Sequence, residues 1–132
     1  MKTVRFTYRG TPWVVYLAPE SEVHQLAEDD NCPAFVETAS NEVYFSDNYE
    51  LNLTNILHEV WHIGMNSLYL ESADLSQGQT EEVSAELFAH QGENLLTLSK
   101  KLLKVLHKLK GQETDAEIYL DEEATEILRK KE

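Results

Sequence analysis

Leu53-Thr54-Asn55-Ile56-Leu57-His58-Glu59-Val60-Trp61-His62-Ile63-Gly64 is where the chain changes its hydrophobic period. Leu53, Ile56, Leu57, Val60, Ile63, Gly64 and Leu68 recur every three or four residues, the spacing of the buried side of a helix. Asn52 is placed to cap its start, because a side-chain oxygen there can accept a free backbone N–H of the first turn. His58 and His62 are four apart and so share one face, a turn from each other.

Upstream, the pattern is that of strands. Val4–Tyr8 and Pro12–Leu17 are rich in aromatic and β-branched residues and flank Arg9-Gly10-Thr11, which reads as a hairpin. Pro19-Glu20-Ser21 opens a short helix to about Ala27. Ala34–Thr38 and Glu42–Ser46 read as two further strands joined at Ala39-Ser40-Asn41.

Downstream, Ser72–Gln79 reads as a polar connector, and a second helix is expected from near Thr80 to about Lys110 with a kink at Gly92. Glu81 and Glu82 fall in its first turn, where carboxylates favour the helix dipole. Phe88, Leu95, Leu102 and Leu109 form a seven-residue stripe, and Lys100, Lys101, Lys104 and Lys108 occupy the opposite side. Thr114-Asp115-Ala116-Glu117 has the form of a capping box, which predicts a last helix. The expected architecture is α+β: a small, mostly antiparallel sheet packed on the histidine-bearing helix and a long second helix. Residues 1–110 form the domain, and residues 111–132 a C-terminal helical extension.

The chain has 132 residues, 24 acids against 11 Lys and Arg, and one cysteine. One domain is expected from this length. No intrachain disulfide can form from Cys32 alone, and Met1–Phe6 carries no apolar signal-like run, so a reducing cytoplasm is the expected location. No apolar stretch approaches the roughly 18 residues of a membrane span. No Lys or Arg occurs from Thr11 to Ser99. The central region therefore carries a negative field that repels phosphate backbones and attracts basic segments. Neither nucleic acid nor membrane is an expected partner.

The chemistry lies in His58-Glu59-Val60-Trp61-His62. Two imidazoles one turn apart can bind one metal ion together. Glu59 is turned about 100° from His58 and can reach a water on that metal as general base. A catalytic zinc takes three protein ligands and keeps one position open. A third histidine ligand of the metzincin type is excluded, since Met65 and Leu68 stand where that pattern needs Gly and His. Glu82 is the expected third ligand, with Glu81 as the alternative. Glu86, one turn on, is expected to accept a hydrogen bond from a ligand imidazole. His90, Tyr69 and Tyr49 are candidate donors to the oxyanion of a transition state.

His58-Glu59-Val60-Trp61-His62 followed by Glu82-Val83-Ser84-Ala85-Glu86-Leu87-Phe88-Ala89 resembles the gluzincin metallopeptidases. The spacing is similar to thermolysin. The second segment resembles the ExxA(D/N)-containing helices of the CAAX-prenyl proteases and the ImmA/IrrE family. The compact size and the preceding strand resemble phage and prophage zincins. The resemblance covers about Ala34 to Ala89. Trp61 departs from the small residue many relatives have, and Glu86 from their Asp or Asn. It implies a zinc-dependent peptidase: His58, His62 and Glu82 hold the zinc, Glu59 activates its water, and the extended substrate, a protein or peptide of basic character, pairs with a strand such as Glu42–Ser46. The competing expectation is a zinc-bearing interaction module, such as a phage-encoded modulator that holds a host protein without cutting it.

Overall fold

A computed structural model of the chain describes residues 2–29, 31–67, 76–120 and 129–130. In chain order the elements are β1 (Lys2–Tyr8), β2 (Thr11–Ala18), α1 (Glu20–Ala27), β3 (Ala34–Glu37), β4 (Glu42–Ser46), α2 (Leu53–Ser67), α3 (Gln77–Lys110), β5 (Ala116–Leu120) and β6 (Arg129–Lys130). The strands form one sheet in the order β3-β4-β2-β1-β5-β6. Tyr8 pairs with Thr11, so the first hairpin turns on Arg9 and Gly10 alone. Both have positive φ, 49° and 82°, as a two-residue turn that follows the strand twist requires.

The sheet is mixed, which corrects the expectation of a mostly antiparallel one. β1–β2, β3–β4 and β5–β6 run antiparallel, but β2–β4 and β1–β5 run parallel. Parallel neighbours need a long crossover, and the chain supplies two. α1 and β3 lie between β2 and β4; α2 and α3 lie between β4 and β5.

Ala116–Leu120, expected in the C-terminal helix, is a strand of the same sheet. Ile118 and Leu120 are buried at a spacing of two, and Glu117 is paired with Arg5 of β1. Docking against β1 overrides the local capping pattern at Thr114–Glu117. The described part of residues 111–132 thus completes the sheet, with no helix.

Alternation along the strands buries one face of the sheet. Val4 and Phe6, Val15 and Leu17, and Val43 and Phe45 meet Ile56, Val60 and Ile63 of α2 and the buried stripe of α3. The two helices approach closely at Gly64, where a Cβ would stand 2.7 Å from a methyl of Leu95. Tyr8 donates a buried hydrogen bond to Oε1 of the Gln91 side chain, tying the first strand to the middle of α3. No helix among the described residues is long and apolar enough to cross a membrane.

Candidate metal centre

α2 begins as the sequence predicts. The backbone N–H of Asn55 donates to Oδ1 of Asn52 at 2.9 Å. Ile56, Val60 and Ile63 then turn inward and fix the rotation of the helix. That rotation leaves His58 exposed, with 69% of its side chain accessible, while the side chain of Glu59 is only 9% accessible. His62 is half-buried.

The two imidazole rings lie 5.2 Å apart, centre to centre, at an interplanar angle of 76°. Rings bound through nitrogen to one tetrahedral zinc, at about 2.0–2.1 Å from it, have centres roughly 5 Å apart. The separation of His58 and His62 meets that requirement. Oε1 of Glu59 stands 4.0 Å from Nε2 of His58. The carboxylate is therefore directed toward the nitrogen edge of that ring, although the residue is buried.

Tyr49 belongs to the same neighbourhood. Its phenol is pushed above the ordinary range, first by burial and then by the negative charges of Glu59 and Cys32. A phenol so held keeps its proton at neutral pH and can serve as a hydrogen-bond donor. Tyr69 lies outside the described residues.

α3 starts earlier than expected. Ser76 accepts from the backbone N–H of Gln79, and the Gln79 side chain accepts from the backbone N–H of Ser76, so Glu81 and Glu82 lie beyond the first turn. The helix runs unbroken through Gly92. Between α2 and α3 opens a cavity of about 580 Å³, lined by Leu57, His58, Trp61 and His62 on one side and Thr80 and Ser84 on the other. Neither Thr80 nor Ser84 belongs to the expected ligand set. Both are at the spacing of buried Leu87, Gln91 and Leu95, which was the available signal.

This phase decides where the acids go. At about 100° per residue, Glu82 lies roughly 160° around the helix from both Thr80 and Ser84, while Glu81 lies about 60° from Ser84. Glu82, expected as the third ligand, is thus on the far side of α3 and exposed, and the nearer acid is Glu81. Glu86, expected to bond one of the two α2 imidazoles, instead has its carboxylate 2.9 Å from Nε2 of His90 on the exposed side of the same helix. That pairing also turns His90 away from the cavity. Among the described residues no group of three His, Cys, Asp or Glu side chains is gathered for a metal. The structure brings His58 and His62 together with the Glu59 carboxylate at the edge of His58.

No family model, curated protein or solved structure matches the chain.

The strand expected to pair with substrate, Glu42–Ser46, lies inside the sheet, with β2 on one side and β3 on the other. Its hydrogen-bonding edges are both used. The sheet ends at β3, which among the described residues pairs only with β4 and which α2 packs against. An edge strand beside the histidine helix can accept an extended peptide as a further strand.

Proposed function

We propose that this chain is a zinc-dependent peptidase of the HExxH type. The observation that carries the reading is the spacing of His58 and His62 on one face of α2, with the Glu59 carboxylate directed to the nitrogen edge of His58. His58 and His62 would hold the metal, and Glu81 is the acid on α3 nearest to completing the set. Bound there, zinc would supply Lewis acidity toward a scissile carbonyl and acidify water.

The protein's own groups do the rest. Glu59 takes the proton of the attacking water and delivers it to the leaving amine, which needs a carboxylate that stays in place between the two transfers. Burial of Glu59 limits the positions its side chain can take. Tyr49, protonated beside Glu59, is the candidate donor to developing negative charge. The edge of β3 that no described strand occupies aligns the substrate backbone alongside α2.

The second reading is a zinc-bearing interaction module that holds a partner intact. The exposed Phe88, and a metal-ligand set that the described residues do not complete, favour it. Incubation of the zinc-loaded protein with an unfolded, lysine-rich polypeptide separates the two. Fragments that vanish with a chelator and with Glu59→Gln support hydrolysis. An intact polypeptide bound by fully zinc-loaded protein supports the module.

A further inference from the structure

The seven-residue stripe of α3 ends in an anomaly. Leu95, Leu102 and Leu109 are completely or almost completely buried, but Phe88, the same distance before Leu95, is 71% exposed. Its ring lies 6.3 Å from that of Trp61, across the gap between α3 and α2. Trp61 in turn lines the cavity with Leu57 and Met65, so one apolar surface runs from Phe88 to His58 and His62. An exposed apolar surface that continues into a cavity marks a docking site more often than a single exposed ring does.

The surroundings are acidic. Glu81 is exposed about 20° around α3 from Phe88, whereas Glu82 and Glu86 are exposed on its other sides. No Lys or Arg occurs from Thr11 to Ser99 to balance them. An anionic lipid surface would be repelled, and so would a nucleic acid, whereas a cationic chain would be drawn in.

We propose that this groove holds a large apolar side chain of a lysine- or arginine-rich peptide segment, with the flanking cations drawn by Glu81 and by the unbalanced negative charge of this part of the chain. The proposal names the substrate class of the peptidase reading and rests on it only for the role of the groove beside His58 and His62. The apolar side chain would supply affinity through burial against Trp61 and Phe88. The basic flanks would supply attraction and direction, which weaken with salt.

Fluorescence anisotropy with three labelled peptides tests it: a phenylalanine flanked by lysines, the same peptide with alanine for phenylalanine, and the same phenylalanine flanked by glutamates. The protein is the zinc-loaded wild type, Glu59→Gln and Phe88→Ser. Because Phe88 is exposed, its replacement leaves the fold intact, checked by circular dichroism. The lysine-flanked phenylalanine peptide is expected to bind at least about tenfold more tightly than either of the others. Phe88→Ser should weaken it several-fold, and added salt should weaken it further. Equal binding of all three peptides, indifference to Phe88→Ser, or a dimer of this chain that dissociates on Phe88→Ser would overturn the proposal. Selective binding without cleavage by the wild type would keep the groove and remove the peptidase reading. Cleavage of all three peptides alike would do the reverse.

Discussion

Oε1 of Glu59 stands 4.0 Å from Nε2 of His58, although Glu59 is buried and His58 is exposed. The two residues are neighbours in the chain and point to different sides of the helix axis, yet their polar ends approach.

Glu59→Gln keeps the shape of the side chain and removes its basicity. Zinc content should be unchanged, and hydrolysis should fall by roughly 100-fold or more, the usual worth of a positioned general base. Turnover measured at equal zinc occupancy checks this. An active Glu59→Gln variant would remove Glu59 from the mechanism.

Glu81 and Glu82 should differ in their effect on metal affinity. The rotation of α3 puts Glu81 on the flank nearest the cavity and Glu82 on the far side. Competition against a fluorescent zinc chelator should show weaker binding for Glu81→Gln and little change for Glu82→Gln. The opposite order would mean that α3 turns when the metal binds.

Gly64 sets the distance between α2 and α3. A Cβ at this position meets a buried leucine methyl at 2.7 Å, so Gly64→Val must displace Leu95. The expected cost is about 1–3 kcal/mol, the range for overpacking a filled core. Urea unfolding with an unchanged slope and an earlier midpoint would show it.

Tyr8→Phe should destabilise by about 1–3 kcal/mol, because it leaves the buried side-chain oxygen of Gln91 without this donor. The double variant with Gln91→Leu should recover part of the loss, which a thermodynamic cycle would measure.

Tyr44 predicts an alkaline limit. Burial, followed by the charge of Glu42, pushes its phenol up to about 12. A group whose folded pKa is raised contributes stability in full below its unfolded value and loses it as pH rises through the folded one. Stability should therefore decline between about 10 and about 12. Tyr44→Phe should flatten that decline, followed by chemical unfolding at a series of pH values. An unchanged decline would assign it to other groups.

Much of this arrangement is written locally in the chain. Asn52 caps α2 as its chemistry requires, and the four-residue spacing of His58 and His62 alone brings their rings together. The four strands before α2 follow from their aromatic and β-branched runs. Other features depend on what comes from afar. Parallel pairing of β4 with β2, and of β5 with β1, follows from the crossovers and leaves no mark within a strand. Ala116–Leu120 carries a helix-like capping pattern, and only its fit against β1 makes it a strand. The rotation of α3 is weakly encoded near its start, because residues 77–86 include few apolar side chains besides Val83. The phase is set by Leu87, Leu95 and Leu98 further on, and it is this phase that parts Glu81 from Glu82.

The central claim is that His58 and His62 hold a metal together. Elemental analysis of the purified protein after zinc loading and desalting tests it most directly, with the wild type beside His58→Ala and His62→Ala. The account predicts about one zinc per chain in the wild type, the open-position stoichiometry of a catalytic site, and its loss in both variants. A wild type that retains no zinc, or variants that retain it undiminished, would contradict the account.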